Sequence, residues 1–159
     1  MFEKSITHKI RRRDLLAMAG TGVIAVAGIG LFAGEAMADS AAVAKAIKKS
    51  VGGKSPKTGR VTLELPQIAE NGNTVPIAVE VKSPMTAKDY VKAVHIYADG
   101  NPVPNVATFR FSPESGKARV STRMRMRKSQ NIVAVAEMSD GSVYMGKKAV
   151  KVTIGGCGG

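Results

Sequence analysis

The chain has 159 residues, with 24 Lys and Arg against 12 Asp and Glu, a formal net charge of +12, one cysteine and only 4% aromatic residues. A single cysteine excludes an internal disulfide. So basic a chain would suit nucleic acid, but the aromatic side chains on which bases stack are too few for that reading, which leaves anions and acidic protein surfaces as the partners such a field attracts.

Residues 1–38 read as an export signal: a basic stretch Lys9-Ile10-Arg11-Arg12-Arg13, an apolar run from Leu15 to Ala33, and Ala36-Met37-Ala38 as the expected cleavage site before Asp39. Arg12-Arg13-Asp14-Leu15-Leu16 is similar to a twin-arginine signal, which implies export of an already folded protein to the periplasm. The apolar run also has the length of a membrane span, about 20 residues, but its glycines and the small-residue site favour cleavage. The chain expected after cleavage has 121 residues, with 19 Lys and Arg against 9 Asp and Glu, the size of one domain with a modest core.

Residues 39–51 are expected to form a short amphipathic helix. Asp39 or Ser40 would cap it, and Val43, Ala44, Ile47 and Val51 recur at three- and four-residue steps. Gly52-Gly53 would end it, and the Gly-, Lys-, Ser- and Pro-rich stretch to Gly59 reads as a linker. The helix packs either on its own domain or on a partner.

From Arg60 to Ile154 the pattern changes to short runs rich in Val, Ile and Thr at the spacing of an all-β sandwich. Seven strands are expected, near 60–66, 74–82, 91–98, 105–111, 117–127, 131–138 and 143–154. Asn71-Gly72-Asn73, Ser83-Pro84, Asp99-Gly100-Asn101-Pro102, residues 112–116 and Asp140-Gly141 mark turns between them. Alternation puts Val75, Ile77, Val79 and Val81 on one face. Pro76 cannot donate a ladder hydrogen bond, which predicts an edge or bulged strand. Residues 131–138 are apolar on both faces, as in a central strand or one covered by a partner. Val150, Val152 and Ile154 are expected to face the core.

Three features bear on chemistry. Arg123, Arg125 and Arg127 alternate with Met124 and Met126, which predicts three cations on one strand face, at roughly 7 Å spacing. They would form either a site for an anion or acidic partner, or a solvated face that discourages edge pairing. His95, beside Tyr97, lies near no Cys or carboxylate at ligand spacing, so a structural role is expected and no metal site. No set of nucleophile, base and orienting group is legible, and no autonomous catalytic activity is expected.

The third feature is Gly155-Gly156-Cys157-Gly158-Gly159, which places the lone cysteine on a stretch with no other side chain. A lone cysteine is ordinarily a small buried hydrophobe. Burial needs apolar neighbours, and four glycines supply none while raising the entropic cost of order. This arm is expected to be flexible and solvated, and narrow enough to thread a channel. Five residues reach about 16–18 Å when extended. No Lys, Arg or His flanks Cys157 to lower its pKa, so the thiol should become reactive only inside a partner.

The terminal pentapeptide following Val150-Lys151-Val152-Thr153-Ile154, the stretch from Ala134 to Val143, and Val94-His95-Ile96-Tyr97-Ala98-Asp99-Gly100-Asn101-Pro102 together resemble the SoxY family, the sulfur-carrier subunits of the periplasmic thiosulfate-oxidising Sox system. The resemblance implies an immunoglobulin-like β-sandwich and a heterodimer with a SoxZ-like β-sandwich subunit. It also implies covalent attachment of substrate to Cys157, with no cofactor beyond that sulfur adduct. A SoxAX-type c-type cytochrome, a SoxB-type hydrolase and a sulfane dehydrogenase would be visited in turn. An alternative from a different class is a secreted immunoglobulin-like adaptor that docks acidic partners through Arg123, Arg125 and Arg127, with Cys157 dispensable.

Overall fold

The computed structural model describes residues 34–154, with side chains from Ser40 onward. One helix, α1 (Gly34–Ser50), precedes nine strands. These are β1 (Lys57–Thr58), β2 (Val61–Glu64), β3 (Ile68–Asn71), β4 (Val75–Val81), β5 (Val91–Ala98), β6 (Asn105–Arg110), β7 (Ala118–Met124), β8 (Gln130–Met138) and β9 (Val143–Ile154). A larger sheet has the order β1-β9-β8-β5-β6, with β3 also paired to β9, and a three-stranded sheet has the order β2-β4-β7. The architecture is the all-β immunoglobulin-like sandwich with a short N-terminal helix. The seven expected strands are all present, and the two extra ones are short. Both β1 and β3 pair in parallel with β9, so a two-residue strand lies within the stretch read as a linker.

The core lies between the sheets. Val75, Ile77, Val79 and Val81 of β4 meet Val94, Ile96, Ile132, Ala134 and Ala136 of the larger sheet. Burying each of the larger side chains contributes about 1.5–3 kcal/mol before the entropy of ordering is counted. Met126, fully buried, closes one end of this core.

The helix packs on its own domain. Val43, Ile47 and Val51, four residues apart and all buried, rest on Tyr97, Val133, Val135 and Val143. The two Lys of its last turn, Lys48 and Lys49, complement the helix dipole. Gly52 and Gly53, at φ of 62° and 81°, reverse the chain, and the Gly53 N–H donates to the Lys48 carbonyl at 2.8 Å. The helix begins at Gly34, five residues earlier than expected, and so spans the expected cleavage site.

That packing accounts for the doubly apolar strand. β8 is central, between β9 and β5; Ile132, Ala134 and Ala136 enter the sandwich core while Val133 and Val135 lie under α1. Both of its faces are covered within the chain, so no partner is needed to explain them.

Two expectations are corrected. β4 is not an edge strand but the middle of the small sheet; Pro76 is tolerated because β2 stops at Glu64, opposite Ala78, and only β7 pairs with β4 at the Pro76 level. Ile154 does not face the core: it is 67% exposed. β8 pairs with β9 only as far as Val150, so the last residues of β9 run past the sandwich beside β3. Among the described residues no helix is long and apolar enough to cross a membrane; the apolar run from Leu15 to Ala33 lies outside them.

Candidate functional site

Cys157 and its flanking Gly155, Gly156, Gly158 and Gly159 lie outside the described residues. What the structure does describe is the platform from which that stretch departs. β9 is 12 residues long and is held at its end by three neighbours. β3 pairs with it from Ile68 opposite Lys151 to Asn71 opposite Ile154. The Gly72 N–H donates to the Ile154 carbonyl at 2.8 Å, and the Met126 N–H donates to the Gly72 carbonyl at 2.7 Å. The Thr153 hydroxyl also donates to the Glu70 carbonyl of β3 at 3.0 Å, and from the other side the Ser129 hydroxyl accepts the Val152 N–H at 2.9 Å. Backbone hydrogen bonds therefore run from the last residue of β9, through Gly72, into the segment that carries the arginines.

Here the expected strand at 117–127 is shorter than the sequence pattern implies. β7 ends at Met124, so Arg123 alone of the three arginines is on a strand; Arg125 and Arg127 are in the connection to β8. The ladder stops where its partner begins, β4 starting at Val75 opposite Met124, and a side chain holds the connection that follows. Asn101 donates from Nδ2 to the Arg125 carbonyl at 2.9 Å, and its Oδ1 accepts the Arg127 N–H at 3.1 Å and the Gln130 Nε2 at 3.0 Å. Gln130 is itself buried and accepts the Gly100 N–H at 2.7 Å. The alternation nevertheless survives beyond the strand: Met124 and Met126 are buried, and Arg123, Arg125 and Arg127 are all exposed.

Two other arginines are matched to carboxylates. Arg119 donates to Glu64 at 2.7 and 2.8 Å and to Glu80 at 2.7 Å, which holds the Glu64 carboxyl below its ordinary 4.5. Arg60 faces Asp89 at 3.7 Å and lies 5.1 Å over the ring of Tyr144. Among the described residues, Arg123, Arg125 and Arg127 form no ion pair.

His95 is placed away from this end, on the outer face of β5. It is buried, with Nε2 2.7 Å from a Glu137 oxygen and Nδ1 3.0 Å from the Thr108 hydroxyl. The carboxylate that sequence spacing does not offer arrives through the pairing of β5 with β8, 42 residues away. Beside it Tyr97 donates from its hydroxyl to the Ser50 hydroxyl at 2.8 Å, tying α1 to the sheet, and burial raises the phenol above its ordinary 10.0. No cluster of three or more metal-ligating side chains occurs among the described residues. Sequence reasoning missed Ser129, which braces the end of β9, and Asn101, which holds the arginine segment beside it; only the turn composition around Asn101 hinted at a capping side chain.

The geometry defines the chain as an immunoglobulin-like sandwich that projects its final strand beyond the core. Comparison with solved structures agrees on this fold. A superoxide reductase (neelaredoxin) from Ignicoccus hospitalis is similar over 59% of this chain and 80% of its own, at 18% identity and a TM-score of 0.52. A putative superoxide reductase from Thermotoga maritima is similar over 61% of this chain and 93% of its own, at 19% identity and 0.53. At such identities these show the fold alone. The sulfur carrier protein SoxY from Chlorobium limicola f thiosulfatophilum is similar at 33% identity and a TM-score of 0.61, over 72% of this chain and 99% of its own. The family model of the sulfur oxidation protein SoxY matches residues 47–157. The chain belongs to the SoxY family of sulfur oxidation proteins. No curated protein sequence matches it.

Proposed function

We propose that the chain is a covalent sulfur carrier of thiosulfate oxidation, with Cys157 as the attachment point and Gly155, Gly156, Gly158 and Gly159 as the arm that presents it. The observation that carries this reading is the extent of the family match, which continues past the last strand to Cys157. A stretch of that composition has no core to stabilise, so a match that reaches it points to use of the thiol.

The chemistry assigned to the arm balances as follows. The Cys157 thiolate and the sulfane sulfur of thiosulfate form an S–S bond, giving Cys–S–S–SO3⁻ and releasing two electrons to a SoxAX-type c-type cytochrome. Water then cleaves the terminal sulfonate in a SoxB-type hydrolase, giving sulfate, two protons and the persulfide Cys–S–S⁻. A sulfane dehydrogenase, where present, oxidises the outer sulfur. The chain supplies no catalytic group to any of these steps and holds no cofactor of its own; its cargo is the adduct. Covalent retention keeps a small anion at high effective concentration in each successive site, and glycine neighbours give none of those sites a side chain to reject. A SoxZ-like subunit completes the carrier as a heterodimer, and the twin-arginine signal places it in the periplasm.

The test is the intact mass of the protein from the periplasm of cells grown on thiosulfate, before and after reductant, with the terminal peptide fragmented to locate any adduct. Sulfur or sulfonate mass on Cys157 that reductant removes is the expected result. An unmodified thiol under turnover, or thiosulfate-dependent respiration that survives Cys157→Ser, would overturn the proposal in favour of an adaptor.

A further inference from the structure

We infer that Arg123, Arg125 and Arg127, together with Lys151, form a cationic docking collar at the root of the carrier arm, and that its occupant is the acidic protein surface around the mouth of an active-site cleft that admits the arm. The inference rests on the carrier reading above and adds an interface to it.

Position carries the first part of the argument. The backbone of the arginine segment is two hydrogen bonds from the last residue of β9, Met126 to Gly72 and Gly72 to Ile154, and Lys151 is exposed three residues before that end. Whatever takes in the residues after Ile154 must come against this surface. The protruding, 67% exposed Ile154 is the apolar element of the same patch.

Electrostatics carries the second part. Arg119 on β7 and Arg60 just before β2 are matched to carboxylates, whereas the three at the arm root form no ion pair among the described residues; Arg110 at the end of β6 is also without one, but it stands as a single exposed arginine rather than in a row of three. They also stand on a braced frame, with the Arg125 carbonyl and the Arg127 N–H both held by Asn101. Unpaired cations on a rigid, exposed surface raise the rate at which an oppositely charged partner is met, and do little for the complex once formed. A small anion is the less suitable occupant: these side chains are all exposed, and exposed cations bind single small anions weakly.

The collar lies far from the other lysine-rich surface. Helix α1 carries the exposed Lys45, Lys48 and Lys49 and covers β9 near Met145 and Lys147, on the order of 20 Å along the strand from Ile154. An equal loss of charge on the helix therefore serves as the control.

The experiment uses the full carrier, with its SoxZ-type subunit, and the purified c-type cytochrome implied as the loading partner. Thiosulfate-dependent haem reduction is followed by stopped flow from about 10 mM to 500 mM NaCl. The Arg123→Gln, Arg125→Gln, Arg127→Gln variant should load about tenfold more slowly at low salt, with a flattened salt dependence, unchanged turnover at saturating cytochrome, and unchanged modification of Cys157 by a neutral alkylating agent. The control variant Lys45→Gln, Lys48→Gln, Lys49→Gln should keep at least half of the wild-type rate. An unchanged rate and salt slope in the arginine variant overturns the collar, as does an equal loss in the control, which would assign the effect to net charge. A lower saturating turnover with altered alkylation would assign the arginines to the arm's own anionic cargo instead, and also overturns it. Cys157→Ser, assayed beside these, separates the two readings: full turnover in that variant removes the carrier role itself, whereas lost turnover with an unaffected arginine variant removes the collar alone.

Discussion

Asn101→Ala removes the side chain that holds the connection after β7 and frames the arm root. Three hydrogen bonds are lost, to the Arg125 carbonyl at 2.9 Å, from the Arg127 N–H at 3.1 Å and from Gln130 at 3.0 Å. A net contribution of about 0.5–1.5 kcal/mol applies to each. The site is half-buried, so water replaces part of what is lost, and Gln130 keeps a second acceptor in the Lys128 carbonyl at 3.2 Å. The expected loss is therefore about 2 kcal/mol. For a domain of this size that lowers Tm by about 8 °C, at about 4 °C per kcal/mol. The assays are thermal unfolding of the full chain by circular dichroism and amide hydrogen exchange, with the Arg127 N–H as the reporter. Asn101→Asp keeps the acceptor for Arg127 but sets a carboxylate oxygen against the Arg125 carbonyl, so it should lose stability while keeping the protection of the Arg127 amide. A loss below about 0.5 kcal/mol in Asn101→Ala, with undiminished protection of the Arg127 amide, would refute the assignment of Asn101 as the brace.

Ile132→Ala, at a fully buried position between the sheets, should cost about 2–5 kcal/mol in chemical denaturation through lost burial and a residual cavity; a loss under 1 kcal/mol would show that the core collapses around it. Tyr97→Phe removes the bond from the sheet to Ser50 of α1 and should cost about 1 kcal/mol, with faster amide exchange confined to the helix. At Gly146 an added Cβ would stand 2.7 Å from the Leu63 side chain and 2.8 Å from the Val61 carbonyl, so Gly146→Ala should push β2 from β9 and lower stability by about 1–3 kcal/mol, measured by denaturant midpoint. Glu64 has a depressed pKa because Arg119 hydrogen-bonds its carboxylate. A depressed acid adds stability above its ordinary pKa and loses it as pH falls through the folded value, so Arg119→Ala should bring the Glu64 midpoint, read by carbon NMR, back towards 4.5, and high salt should narrow the difference between the two proteins.

The alternation of Val75, Ile77, Val79 and Val81 named the core face of β4 correctly, and the doubly apolar run at 131–138 allowed a central strand or a partner-covered one, of which the structure has the first. Local pattern suffices for such features because side-chain period follows backbone geometry alone. It failed at Ile154, where alternation continues but the second sheet does not, and at Pro76, where the end of a neighbouring strand decides whether a missing N–H matters. It also failed to end β7 at Met124, since that end is set by where the paired strand β4 begins, at Val75 opposite Met124.

For this protein the sequence by itself determined the sandwich, the apolar stripe of the helix, the isolation of Cys157 among glycines and the alternation that exposes Arg123, Arg125 and Arg127, because composition and period are local properties. Only the tertiary structure decided that α1 covers its own sheet, that Glu137 reaches His95, and that the arginine segment adjoins the end of β9. Those facts depend on strand register and order, which arise from long-range packing and leave no mark within any short stretch of the chain.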